Sequence, residues 1–104
     1  MYAHQMDVER PLEMYDAVHA EVNKRIGQNI ADGSLMHMVT KTATGFRVTE
    51  VWESHEAADR FGDEVMRPVI EIVAGPDAVA DGPPPSDELD LHALLTASTS
   101  NSSV

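Results

Sequence analysis

His37 and Glu50 are the two residues of this chain best placed to do chemistry together. His37 stands in the middle of the run Leu35 to Thr42, between Met36 and Met38. Glu50 stands in Phe46 to Trp52, on the face that alternation gives to Phe46, Val48 and Trp52, where an acid is out of keeping with its neighbours. The two runs flank Ala43-Thr44-Gly45 and predict a β-hairpin. If the turn pairs Thr42 with Gly45, His37 falls opposite Glu50, with Cβ atoms about 4.5–5.5 Å apart. A carboxylate on one imidazole nitrogen fixes the tautomer and makes the other nitrogen a better general base. A slip of one residue puts Met38 opposite Glu50 and removes the pair. The same two residues also serve, with no reaction at all, as a hydrogen-bonded polar pair across a hairpin.

His4 is the second candidate. It shares a face with Tyr2, Met6 and Val8 in an alternating run, and from there could enter the same space as another polar contact. Trp52, Phe61 and Tyr15 are expected between sheet and helices, where aromatic rings suit a core or a planar substrate equally. His19 follows Tyr15 by one helical turn, at the mouth of that space. His92 shares a face with Glu88 and Asp90, a solvated pattern. His55 opens with Glu56 a stretch that starts like the zinc-protease motif His-Glu-x-x-His, but Asp59 replaces the second histidine. A set of His4, His37 and Glu50 is conceivable as a metal site, yet no spacing calls for one, and no metal is expected. The chain has no glycine-rich phosphate loop, no Gly-x-Ser-x-Gly elbow and no dinucleotide fingerprint, so no cofactor is expected either.

The elements that must position these residues follow from periodicity. Tyr2 to Val8 alternates and reads as the first strand. Pro11 suits a first helical turn, and Leu12, Tyr15, Val18, Val22 and Ile26 keep helical spacing up to Gly27, which can close the helix. After the Asp32-Gly33 turn come the two hairpin strands. Ser54 can cap a second helix with Glu56 in its first turn, and Ala57, Ala58, Phe61, Val65, Val69 and Ile72 form its expected buried stripe. Pro68 should kink or break that helix, and Gly75-Pro76 should end it. Residues 75–87 are rich in proline and glycine and predict an extended connector. Glu88 to Thr96 alternates as a fourth strand. Residues 97–104 are a Ser-rich stretch with nothing to bury, expected to be a disordered tail after a single domain spanning 1–96. The order β-α-β-β-α-β predicts an α+β, ferredoxin-like fold: a four-stranded antiparallel sheet with both helices on one face. Two copies packed sheet to sheet would cover the other face, so a homodimer is expected.

Bulk composition narrows the function classes. The 104 residues are 42% hydrophobic, enough for one modest core. The formal net charge is −11, from 18 acidic and 7 basic residues, which argues against nucleic acid or anionic membranes as partners. The absence of cysteine rules out disulfides, thiolate nucleophiles and Cys-ligated metals. No apolar run approaches the roughly 20 residues of a membrane span, and no secretory signal is visible, so a cytoplasmic setting is expected.

The chain from the first strand to the end of the second helix, most specifically Asp32 to Val39, Gly45 to Ser54 with its Trp52-Glu53-Ser54, and Glu56 to Phe61, resembles the dimeric α+β barrel superfamily, with its antibiotic-biosynthesis-monooxygenase-like proteins. The resemblance implies a cavity between sheet and helices for a small apolar or aromatic molecule. It also implies either cofactor-independent oxygenation, or a proton-transfer isomerisation or cyclisation. Uncharacterised and non-catalytic binding or accessory proteins share the fold. The haem-degrading branch of that superfamily fits badly. It wants an Asn, a Trp and a His where this chain has His4, Phe61 and Glu71, and glutamate is not a normal haem ligand.

Overall fold

The computed structural model describes residues 1–27, 31–80, 82 and 84–96. Four strands, β1 (Tyr2–Val8), β2 (Ser34–Lys41), β3 (Phe46–Trp52) and β4 (Asp87–Leu89), form one antiparallel sheet in the order β2-β3-β1-β4. Helix α1 (Leu12–Ile26) joins β1 to β2. A longer helical segment follows β3, made of α2 (His55–Phe61), a π-helical turn (Gly62–Met66) and α3 (Arg67–Ala74). The result is α+β, compatible with the ferredoxin-like arrangement. No helix among the described residues is long and apolar enough to cross a membrane.

Both helical segments lie on one face of the sheet. Tyr15 of α1 meets Phe46 edge to face, with ring centroids 5.5 Å apart, and Phe61 of α2 packs on Trp52 at 5.3 Å. Phe46, Val48 and Trp52 are buried there, with Val22 and Val69 from the helices. Truncating a ring buried as fully as Trp52 typically costs about 3–5 kcal/mol. The opposite face carries Ala3, Gln5 and Asp7, then Arg47, Thr49 and Val51, then Met36, Met38 and Thr40, by strand alternation. Asp7 and Arg47 are cross-strand partners there, joined by two hydrogen bonds of 2.7 and 3.2 Å.

The hairpin forms as its turn chemistry predicts. Thr42 N–H donates to Gly45 O at 2.9 Å, and Lys41 pairs with Phe46, so β2 ends one residue before Thr42. Gly45 is required at this turn. A Cβ there would run into the Val8 carbonyl oxygen and come within 2.8 and 2.9 Å of the Arg10 backbone O and N. At its other end β2 carries a bulge. Pairing steps from Ser34–Trp52 to Met36–Val51 and leaves Leu35 as the extra residue. Just before it, Gly33 has φ 84°, accepts from Glu53 N–H at 2.7 Å, and abuts Ala57 so closely that a Cβ would sit 2.8 Å from the Ala57 methyl carbon. Ser54 caps α2 by accepting from Ala57 N–H at 3.1 Å.

Several expectations need correction. Pro68 does not break the second helix. The missing N–H is absorbed one turn earlier, where Arg67 N–H reaches back five residues to Gly62 O, and the helix resumes as α3. That π turn holds extra residues, so it rotates the buried stripe. Val69 is fully enclosed and Val73 half-buried, while Ile72, expected inside, is exposed. The expected extended connector 75–87 instead starts with a 3₁₀ turn, Pro76–Val79, that tucks Val79 into the core, and its last residue, Asp87, already belongs to β4. The fourth strand is much shorter than Glu88 to Thr96. Leu89 pairs with Ala3, and the antiparallel direction then carries β4 past the start of β1, so further residues have no ladder to join. Leu91 N–H turns back to Leu89 O instead, and Leu95 is 94% exposed. The Ser-rich stretch 97–104 and Pro83 lie outside the described residues.

Candidate functional site

One transverse row of the sheet carries the site. Reading across the strands, His37 of β2 pairs with Glu50 of β3, Glu50 with His4 of β1, and His4 with Glu88 of β4. Directly paired residues of antiparallel strands share a face, so the row alternates imidazole and carboxylate toward the helices. The hairpin turn sets His37 against Glu50, and the β1–β3 ladder sets His4 there from the other side.

Glu50 is the centre. Its Oε2 lies 2.8 Å from His37 Nδ1, in hydrogen-bonding geometry. Its Oε1 lies 2.9 Å from His4 Nε2 and accepts a long bond, 3.4 Å, from the Trp52 indole N–H. The His4 contact has ion-pair distance but the oxygen is out of line with the N–H, so neither ring nitrogen of His4 has a hydrogen-bond partner among the described residues. His4 is 8% exposed and the Glu50 side chain 13%, whereas the His37 side chain is 37% exposed. The cluster therefore has a closed end at His4 and an open end at His37. Burial pushes the Glu50 carboxyl up. The hydrogen bond from His37, the charges of His37 and His4, and the Trp52 N–H together outweigh burial and hold it below its ordinary value. Glu50 is therefore a carboxylate at neutral pH.

Tyr15 closes the open end. Its Oη is 2.8 Å from His37 Nε2, and its ring lies nearly parallel to that of His37 at 6.0 Å. Burial, then the charges of Glu50 and Asp16, push the phenol above its ordinary value, so it is a hydrogen-bond donor at neutral pH. One acceptor and one donor thus fix one tautomer of a neutral His37: Nδ1–H donates to Glu50 and the Nε2 lone pair accepts from Tyr15. His19 stacks on the outer side of Tyr15 at 5.8 Å. At the closed end Tyr2 stacks on His4 at 5.1 Å and on His55 at 4.2 Å.

The structure thus brings His37, Glu50, His4, Trp52, Tyr15 and His19 into one neighbourhood. Phe61 touches it only through Trp52, filling the space between β3 and α2. Two shallow, open hollows lie elsewhere, one between Glu9–Glu13 and Lys41–Gly45, the other beside Met1 and Glu88–Leu91. Neither takes in His37, Glu50 or His4. His92 lies past the end of β4, outside the sheet, and is exposed. Among the described residues no three His, Cys, Asp or Glu side chains are arranged to hold a metal ion. Glu50 Oε2 is already bonded to His37, and His4 Nε2 lies 2.9 Å from Oε1.

Sequence reasoning names Tyr15 but not its bond to His37, and it does not name Tyr2 among the site residues. Tyr15 reads as a lining residue, yet it is bonded to the imidazole. Tyr2 reads as ordinary strand, yet it bridges His4 to His55. Helical spacing brings Tyr15 to the sheet side, but nothing in the sequence says which strand residue it meets. Comparison with known proteins returns no match to a family model, to a curated protein or to a solved structure.

Proposed function

We propose that the protein is a small proton-transfer enzyme acting without a bound cofactor on a small, largely apolar or aromatic molecule. The observation that carries this reading is the His37 Nδ1 to Glu50 Oε2 bond at 2.8 Å, made to a carboxylate only 13% exposed and ending at a ring 37% exposed. A carboxylate behind an imidazole stabilises the imidazolium formed when the ring takes a proton, which is the task of a general base. Isomerisation, or cyclisation through an enolate, needs no more than this. The resemblance of residues 32–61 to the monooxygenase-like proteins adds cofactor-independent oxygenation, which opens with the same proton removal. In this reading His37 is the base, Glu50 orients it, and His4 is a second polar contact beside the far oxygen of Glu50. A dimer formed through the open sheet face belongs to the same proposal, motivated by Met38, 47% exposed, and Met36 beside it on a face that carries no helix.

The packing of Trp52 and Phe61 favours a second reading, a non-catalytic binding or accessory protein whose interior is filled. Solvent-deuterium incorporation into a panel of small enolisable aryl ketones, followed by NMR, separates the two. The enzyme reading expects exchange above the buffer rate and a loss of about 10²–10⁴ in His37→Ala. Exchange at the buffer rate in the wild type, or unchanged exchange in His37→Ala, favours the second.

A further inference from the structure

We infer that Tyr15 is a catalytic residue, the outer member of a Tyr15–His37–Glu50 relay, and that its hydroxyl oxygen rather than the His37 ring meets the substrate. This rests on the proton-transfer reading above and deepens it. The geometry leaves His37 no free basic nitrogen. Nδ1–H is committed to Glu50 at 2.8 Å, and the Nε2 lone pair is covered by the Tyr15 hydroxyl at 2.8 Å. A donor hydroxyl whose hydrogen points inward to Nε2 presents its oxygen lone pairs on the other side. Tyr15 comes from α1 and is held against Phe46 on one side and His19 on another, so its ring position does not depend on the bond to His37.

The step balances within the relay. As the Tyr15 proton passes to His37 Nε2, the Tyr15 oxygen takes a proton from a carbon beside a substrate carbonyl. The electron pair of that C–H bond moves to the carbonyl, giving an enolate. His37 is then an imidazolium and Glu50 its counter-ion. On the return, Tyr15 delivers its proton to the enolate at carbon or oxygen, and His37 gives its Nε2 proton back to Tyr15. No oxidant, reductant or external proton is consumed. The substrate class this fits is a neutral 1,3-dicarbonyl or aryl ketone. Such a C–H is acidic enough for a weak base, and a neutral molecule is not repelled by a chain of net charge −11.

The test pairs an NMR reading with an activity. Long-range ¹H–¹⁵N spectra of the histidine side chains report which nitrogen of His37 bears hydrogen in the neutral ring. The relay requires Nδ1–H in the wild type. A wild-type ring carrying its hydrogen on Nε2 overturns the proposal, because that nitrogen then donates to Tyr15 and can take nothing from it. Keto–enol exchange of benzoylacetone is then measured for wild type, Tyr15→Phe and His37→Ala. Phenylalanine keeps the packing against Phe46 and removes only the hydroxyl. A loss in Tyr15→Phe within about tenfold of that in His37→Ala, in the range of 10²–10⁴, supports the relay. Activity in Tyr15→Phe equal to or above wild type overturns it, since the hydroxyl would then only cover the base. Absence of exchange in the wild type refutes the proton-transfer reading of the protein, and with it a catalytic Tyr15. The tautomer still reports whether the hydrogen-bond order of the three residues is right.

Discussion

Replacing Glu50 with glutamine tests the centre of the cluster with the least disturbance of shape. The substitution keeps the volume and one carbonyl oxygen for His37 Nδ1–H, and removes the charge. The site loses a hydrogen bond to a charged acceptor, a class of interaction worth about 1.5–3 kcal/mol. It also loses an ion-pair contact to His4, partly offset by no longer burying a carboxylate. With the side chain only 13% exposed, solvent screening removes little of this, and a net loss of about 1–3 kcal/mol at neutral pH is expected. For a domain of this size each kcal/mol lowers Tm by roughly 4–8 °C. The pH dependence is the sharper signature. The folded carboxyl lies below its unfolded value, so its stabilising contribution is complete above the unfolded value of about 4.3 and disappears as pH falls through the folded one. Urea unfolding of both proteins, followed by the fluorescence of Trp52, should therefore show a gap at pH 7 that closes as pH falls below about 4.3. Acids that do not touch Glu50 are common to both proteins, so their titration cancels in the difference. A gap that persists unchanged to pH 3, or none at pH 7, would refute the assignment of Glu50 as the buried anion of the site.

Three further outcomes follow from other parts of the fold. Gly45→Ala should destabilise by at least about 1–3 kcal/mol in denaturant unfolding, because the new methyl meets backbone of Val8 and Arg10 that cannot turn aside; an unchanged midpoint would show that the Glu9–Pro11 loop does not lie against the turn. Ser54→Ala should cost about 1 kcal/mol through loss of the bond from Ala57 N–H, whereas Ser54→Asp should retain most of it. Sedimentation velocity at micromolar concentration should give a dimer for the wild type and a monomer for Met38→Glu, which places a charge on the open sheet face; a wild-type monomer would remove the proposed sheet-to-sheet assembly.

Legibility of this chain in sequence varied with the distance over which residues act. The three long strands and α1 were readable because a two- or 3.6-residue period and a turn or cap signal coincide, as at Gly45, Ser54 and Gly27. The placement of His37 opposite Glu50 was readable for the same reason, since a short turn fixes register locally. β4 was misjudged because the alternation of Leu89, Leu91, Ala93 and Leu95 says nothing of where its partner strand starts. Pro68 leaves the outcome open between a kink and a break, because a proline states which hydrogen bond is missing and not whether the chain ends the helix or widens a turn. The roles of Tyr15 and Tyr2 depend on how helices sit on the sheet, a tertiary choice that carries no local pattern.

The bulge at Leu35 has a consequence for how chain length can vary. Between Gly33 and Met36 the ladder already holds one residue more than its partner strand, so deleting Leu35 would make the pairing regular while His37 keeps its side of the sheet. In the Thr42–Gly45 turn there is no such spare residue. One insertion or deletion there would exchange the two faces of β2, bringing a methionine to Glu50 and turning His37 outward. Sequences that preserve the His37–Glu50 pair should therefore tolerate loss of one residue at the start of β2 and no one-residue change in the hairpin turn. Any alignment of this chain to a relative can be judged by where it opens its gaps.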